Sequence, residues 1–320
     1  MSDYISSAAP LFIKFEQYMT VSGKWNSCYN HHLHKFDVYC LEHNLKTEMI
    51  SQNIINDWCQ KRPKETNRSC VTRSYVIVML TKFINKRGLG SLLPPVLPKV
   101  GLSTFRPHYF TEEELVDFFN QCDNLSFRDN SPQNQLTMIQ VPVFFRLLYS
   151  SGMRTLEARM LAVDDVDLKT GIVNVNKSKG KDQHYVVLHD STLMLLKKYD
   201  DLIRKNENFV NRKYFFPDVD DNPHDARWVI RCFNKCWNRK QYGKARAYDL
   251  RHNYAIANIS SWSGVGFECN AKFYYLSKSM GHARLRSTQY YYSLTPVMAD
   301  ILLEKTNDSF NEIIPDLDYE

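Results

Sequence analysis

Gly281-His282-Ala283-Arg284-Leu285-Arg286-Ser287-Thr288-Gln289-Tyr290-Tyr291 is the stretch around which the rest of the chain is read. It sets a histidine nine positions before a tyrosine, in a segment dense in Arg and Ser/Thr. Two upstream segments need explaining with it: Ser151-Gly152-Met153-Arg154-Thr155-Leu156-Glu157 and Tyr248-Asp249-Leu250-Arg251-His252. Each alone is weak. Tyr290-Tyr291-Tyr292 is an aromatic run in a chain of 19 tyrosines and could simply pack. Arg154 could be a surface arginine paired with Glu157 at i,i+3 spacing. Against that, Arg154 follows a glycine turn at the end of an apolar helix, where side chains point into clefts.

Together the segments bring two arginines, a histidine and a tyrosine to one half of the chain, and a lysine-rich turn lies between them. Two guanidinium groups can clamp the non-bridging oxygens of a phosphodiester and hold the extra charge of its pentavalent transition state. A tyrosine can attack phosphorus and form a covalent phosphotyrosine. A lysine can protonate the leaving oxygen, and a histidine can bond a phosphoryl oxygen or help handle the tyrosine's proton. That set covers strand cleavage with no cofactor and no metal. The sequence offers no carboxylate cluster for a metal, no phosphate-cradling Gly-rich loop and no Gly-x-Ser-x-Gly.

On these residues the chain resembles the tyrosine recombinases, the phage integrase family. Gly152-Met153-Arg154-Thr155-Leu156-Glu157 matches the family's first arginine segment, Gly-x-Arg-x-x-Glu. The match continues through Asp165-Val166-Asp167-Leu168 into the Gly171 hairpin, whose turn carries the catalytic lysine in the family. Ungapped alignment with Val187-Leu188 picks Lys179, with Lys181 and Lys177 as alternatives because the turn length is ambiguous. The second arginine lies in a His-x-x-Arg motif; here Arg251 carries over and Tyr248 stands where the histidine would be. A phenol still donates a hydrogen bond to phosphate but is neither a cation nor a ready base at neutral pH. Met280-Gly281-His282 with Tyr291 matches the third motif and makes Tyr291 the nucleophile, with Tyr290 expected to pack inward.

The resemblance implies a site-specific DNA recombinase or integrase, cleaving and rejoining strands through a 3′-phosphotyrosine, related to Xer-like and transposon-encoded enzymes. It implies double-stranded DNA as partner and a homotetramer on two duplexes, with the tail after Pro296 docking on a neighbouring subunit. A bacterial or mobile-element protein of the cytoplasm is expected, without an extra N-terminal arm-binding domain. Two other readings remain: a type IB topoisomerase acting as a monomer, and a non-catalytic DNA-binding relative supported by Tyr248.

Working outward, the fold is expected to be mainly α with a small antiparallel β-sheet, in two domains. Leu11, Phe12, Phe15 and Met19 give a helical stripe; further helices follow at 29–43, near 47–60 and from about 67 to 87, closed by Gly88. This helical domain, 1–92, would be the DNA core-binding domain. Its basic run includes Lys61, Arg62, Lys64, Arg68 and Arg73, read as phosphate-backbone contacts or as a solvated face; Lys181 is added from the hairpin turn. Pro94, Pro95 and Pro98 exclude helix and inner strand, so 93–108 reads as a linker. Thr111 with Glu114 forms a capping box that opens the second domain, 109–320.

There Gln140 to Tyr149 is apolar enough for a buried helix, 171–188 is a hairpin with a basic tip, and helices follow at about 191–205, 226–239, 248–262 and 273–279. On 226–239, Arg227, Arg231, Lys235 and Arg239 are left facing outward. The bulk numbers agree without deciding. A net charge of +6 on 320 residues permits a polyanion partner. The 8 cysteines lie without CxxC pairs, as reduced cytosolic thiols do. There is no signal peptide and no run of roughly 18 apolar residues.

Overall fold

The computed structural model describes residues 3–43, 50–101, 105–176, 183–262, 268–282, 284–289 and 291. The chain divides into two compact units, 1–105 and 106–320.

The first unit is built from α1 (Ala9–Val21), α2 (Ser27–Glu42), α3 (Gln52–Cys59) and α4 (Asn67–Lys86). Side-chain caps start three of them: Asn26, Ser51 and Thr66 each accept a bond from the first turn's amides. Phe12, Phe15, Leu33, Phe36, Trp58, Ile77 and Leu80 form the shared core. α4 ends as expected, with Gly88 at φ +65 and Leu89 N–H bonded to Ile84 C=O at 3.0 Å.

The start of the Pro-rich segment is not a free tether. Asn85 holds both backbone groups of Leu92, at 2.7 and 2.9 Å. Gln52 does the same for Leu93, at 2.8 and 3.1 Å. Asn67 caps Lys99 C=O at 2.9 Å, so much of the expected linker belongs to the first unit.

The second unit opens with the capping box at Thr111: its Oγ1 accepts from Glu114 N–H at 3.2 Å, and Glu114 accepts from Thr111 N–H at 2.9 Å. α5 (Glu112–Asp123) packs on α6 (Pro132–Ser151), which also contacts α8 (Asp190–Ile203) and α11 (Asp249–Ser260). α6 starts eight residues before the apolar run that announced it, because Pro132 and the polar residues after it form its first turns.

A three-stranded antiparallel sheet, β1 (Val166–Asp167), β2 (Ile172–Val175) and β3 (His184–Val187), is ordered β1-β2-β3. Residue 175 pairs with 184, so the lysine-bearing turn leaves from the end of this ladder. Short α7 (Thr155–Arg159), α9 (Ala226–Cys236), α10 (Arg239–Tyr242), α12 (Glu268–Ser279) and α13 (Arg286–Gln289) complete the unit. Its main core is aromatic: Phe118, Phe144, Phe145, Phe215, Phe216, Trp228 and Phe233 are all buried. A second cluster joins Ala255, Ile256, Ile259, Phe273, Leu276, Met280 and Tyr291, so Tyr291 is packed against α11 and α12.

Candidate active site

Two helix ends build the site. α6 stops at Gly152, which adopts φ +63 and bonds its N–H to Leu148 C=O at 3.1 Å. Only glycine fits there, because a Cβ would lie 2.3 Å from the Tyr254 ring. α12 ends in a Schellman motif: Gly281 N–H bonds Lys278 C=O at 2.8 Å and His282 N–H bonds Ser277 C=O at 3.0 Å. Gly281 takes φ +60 and lies against the His184 ring at the start of β3. The Gly-His pair therefore has a mechanical meaning: glycine turns the chain, and the next residue is aimed back over the helix end.

The carbonyls exposed at these two ends hold the two arginines. Arg251, on α11 and only 1% exposed, donates to Gly152 C=O at 2.6 Å and Met280 C=O at 2.7 Å. It also donates to His282 Nε2 at 2.9 Å. Its Nε is buried with no partner among the described residues. Arg154 donates to Gly281 C=O at 2.7 Å and pairs with the buried carboxylate of Glu157. Glu157 also accepts from Arg154 N–H at 2.8 Å. So Arg154 does make the i,i+3 pair, but inside the cleft rather than on a solvated face.

Among the described residues no carboxylate is hydrogen-bonded to Arg251. Its contacts are two carbonyls and one imidazole. Burial pushes its guanidinium below the ordinary arginine value, and neighbouring Arg154 pushes it the same way. A buried cation held by neutral groups is costly unless an anion joins it.

His282 is neutral by the same physics. Burial first, then Arg251 and Arg154, lower its pKa to about 4. Arg251 donates to Nε2, so Nδ1 carries the proton and donates to Thr288 Oγ1 at 2.6 Å. Both ring nitrogens are thereby committed. Tyr291 stacks near this ring, with centroids 6.3 Å apart. Its hydroxyl lies 3.1 Å from Nδ1 of a different histidine, His252.

Arg154, Arg251, His282 and Tyr291 are thus brought together from four places in the sequence. Tyr248 lies at the rim, 38% exposed, with its ring edge-on to His252 at 5.2 Å. Lys179, Lys177 and Lys181 fall on 177–182, outside the described residues, as do the neighbours Tyr290 and Tyr292 and the tail after Pro296.

In the first unit Lys61, Arg62, Lys64 and Arg68 are exposed, and Lys64 stands at φ +64 in the turn between α3 and α4. Arg73 does not join them, which corrects its reading as a phosphate contact. Its side chain is buried, paired with Glu65 at 2.9 Å and bonded to Trp58 and Gln60 carbonyls. It ties α4 to the end of α3 and has no face toward a ligand. On α9, Arg227, Arg231, Lys235 and nearby Arg239 are exposed, as the sequence pattern requires.

Sequence reasoning passed over His252, Glu157 and Thr288 as site residues. His252 had a readable signal: it is four residues, one helical turn, after Tyr248, on the same face. Thr288 had none beyond its place three residues before Tyr291.

Residues 108–297 match the sequence profile of the phage integrase family. The chain belongs to the phage integrase family. This is a family of enzymes that cleave and rejoin DNA.

A Sinorhizobium fredii protein named as an integrase/recombinase is 30% identical over 192 residues, 58% of this chain and 59% of that protein. A tyrosine recombinase of Agathobacter rectalis is 23% identical over 244 residues, 72% of this chain and 70% of that protein. Among solved structures, the XerH site-specific recombinase bound to palindromic difH substrate superposes with a TM-score of 0.63. It is 18% identical over 95% of this chain and 85% of that one. The Tn1549 transposon integrase in complex with transposon right end DNA gives 0.56 at 12% identity, over 94% and 99%. At these identities the structural matches establish the integrase fold. Among the described residues no helix is long and apolar enough to cross a membrane.

Proposed function

We propose that this chain is a site-specific DNA recombinase that cleaves one strand by attack of Tyr291 on phosphorus, forming a 3′-phosphotyrosine. The observation that carries the reading is Arg251: a buried guanidinium with no carboxylate partner among the described residues, close enough to Arg154 and to the buried Tyr291 to feel their charge. A phosphodiester supplies the missing anion. Arg154 and Arg251 bind its non-bridging oxygens, and they meet the charge that grows on them as phosphorus becomes pentavalent. His282, neutral and locked by Thr288, accepts from Arg251 and so orients that guanidinium toward the same oxygens. The nucleophile comes from the same chain as the arginines.

The leaving 5′ oxygen needs a proton, and a lysine of the β2–β3 turn, Lys179 first and then Lys181 or Lys177, is assigned to give it. Support for that assignment is the start of β3: His184 abuts Gly281, so the hairpin springs from the edge of the site. Exposed Lys61, Arg62, Lys64 and Arg68 of the first unit are assigned to the phosphate backbone. Assembly as a homotetramer on two duplexes, through the tail after Pro296, belongs to the same proposal.

The test uses a duplex enriched from a random-sequence pool by retention on the full-length protein, then synthesised with a nick scanned along it. A covalent protein–DNA band on a denaturing gel is expected with the wild type and not with Tyr291→Phe. A band that persists in Tyr291→Phe reassigns the nucleophile to a neighbouring tyrosine. No band on DNA that the protein retains leaves a non-catalytic DNA-binding relative.

A further inference from the structure

Cleavage by a tyrosine has to dispose of the phenolic proton. In this site the obvious candidate, His282, is excluded by its own bonds: Nε2 accepts from Arg251 and Nδ1 donates to Thr288. Tyr248 offers only another phenol. Nδ1 of His252 lies within reach of the Tyr291 hydroxyl, at 3.1 Å. Its ring lies between the rings of Tyr248 and Tyr291, with centroids at 5.2 and 5.5 Å.

We infer that His252 is a catalytic residue of this recombinase, the base that accepts the Tyr291 proton as the phosphotyrosine forms and returns it when the strand is rejoined. The inference rests on the proposed function. With the proton of the neutral ring on Nε2, the Tyr291 O–H donates to Nδ1. As the tyrosine oxygen bonds to phosphorus, the O–H bond breaks and its proton passes to Nδ1. Phosphorus releases the 5′ oxygen, which takes its own proton from the hairpin lysine. In the reverse step a 5′-hydroxyl attacks phosphorus, its proton returns to that amine, and the departing phenolate takes the proton back from the imidazolium.

The surroundings suit the task. Asp249, one turn before His252, favours the imidazolium, while Arg246 and Arg251 oppose it; burial is the largest influence and keeps the ring neutral without DNA, with a pKa of about 4. Its lone pair is therefore available at neutral pH. A phosphodiester entering beside the arginines brings negative charge, which raises the basicity of His252 only once substrate is bound. Among the described residues the rings of Tyr248 and Tyr291 also pack against it. The position also accounts for the tyrosine at 248: one helical turn apart on α11, the two side chains share a face, and the histidine nearer the nucleophile has the proton work.

The experiment places a 5′-bridging phosphorothiolate at the scissile phosphate, mapped from the covalent adduct on the nicked duplex. Its thiolate leaves without a proton, so the rate of covalent adduct formation reports on the nucleophile alone. His252→Asn keeps a hydrogen-bonding group near Nδ1 but cannot accept the proton, and is expected to slow single-turnover adduct formation by about 10²-fold. The wild-type rate should level off above the histidine's apparent pKa in the complex, whereas the Asn variant should keep rising through pH 9. Free imidazole should restore part of the rate of His252→Ala.

A wild-type rate and pH profile in His252→Asn would overturn the inference, even if the Ala variant failed to fold. Should the wild type react, Tyr291→Phe not, and His252→Asn match the wild type, the proposed function stands and the role of His252 falls. Absence of an adduct with the wild type, on DNA it retains, overturns both.

Discussion

Gly152→Ala tests the claim that a close approach of α6 to α11 builds the arginine site. Gly152 sits at φ +63, where an L-residue costs about 1–2 kcal/mol. The added Cβ would lie 2.3, 2.8 and 2.9 Å from three atoms of the Tyr254 ring. The close atoms include Cγ and Cδ1, at the root of a half-buried ring that cannot swing aside like the end of a flexible chain, so overpacking of about 1–3 kcal/mol is added. The expected loss is about 2–5 kcal/mol.

Gly88→Ala is the matched control. It also follows a helix, at φ +65, but its Cβ would meet nothing within 4 Å, so only the backbone cost of about 1–2 kcal/mol applies. Native-state hydrogen exchange of the full-length chain in rising urea reads the two helices separately, peptide by peptide. If α6 in Gly152→Ala loses no more protection energy than α4 in Gly88→Ala, the close-approach argument is wrong. Where the variant folds, its adduct yield should fall further than its stability explains, because the Gly152 carbonyl that holds Arg251 at 2.6 Å has moved.

Arg73→Ala should destabilise the first unit by about 3 kcal/mol, since it strips a buried ion pair and two carbonyls of their donor. Arg68→Ala, by contrast, should leave stability within about 0.5 kcal/mol and lower the salt slope of DNA binding by about one; equal effects in the two variants would undo this division of labour. Glu157→Ala should cost the second unit about 3 kcal/mol in urea unfolding, because it leaves Arg154 without its buried carboxylate; a loss below about 1 kcal/mol would mean the pair is only peripheral.

For pH, His224, His252 and His282 all sit near pKa 4 against an ordinary 6.5, chiefly through burial. The unfolded chain therefore binds more protons between those values, so the second unit's stability should fall as pH drops from about 6.5 toward 4. A flat stability across that window, measured by urea unfolding at several pH values, would contradict the burial of these rings.

What could be read from the sequence was whatever depends on local chemistry. The capping box at Thr111 and Glu114, the glycine ends of α4 and α12, and the hairpin flanking a lysine-rich turn are all determined within a few residues. So was the grouping of Arg154, Arg251, His282 and Tyr291, because three short motifs in order carried it. What escaped depends on which face a helix turns inward. Arg73 belongs to a basic run in sequence, yet α4 rotates it onto the carbonyls at the end of α3. His252 was visible beside Arg251, but its contact with Tyr291 spans 39 residues and exists only because α11 and the segment after α13 share one apolar cluster. The extent of α6 was missed for a related reason: its first turns are polar and carry no apolar stripe.

The way the arginines are held bears on the chemistry itself. A buried guanidinium can be anchored by a carboxylate or by carbonyls. A carboxylate brings a full negative charge, which cancels the cation and repels an incoming phosphate. Carbonyls at a helix C-terminus bring about half an elementary charge spread over several groups. Arg251 is anchored in the second way, by Gly152 at the end of α6 and Met280 at the end of α12, and keeps its charge for a ligand. Arg154 is anchored in both ways, by Gly281 and Glu157, and the pair reaches 16% exposure only on the arginine side. The two arginines are therefore not equivalent: Arg251 is the stronger anion trap, and Arg154 is more neutralised and more rigidly aimed. Conservative replacement should expose the difference. Lysine has one ammonium point where Arg251 uses a planar fork to bridge two helix ends, so Arg251→Lys must surrender either a carbonyl or the phosphate. The loss should appear both in DNA-free stability and in adduct rate, whereas Arg154→Lys, still able to pair with Glu157, should spare stability and slow only the chemistry.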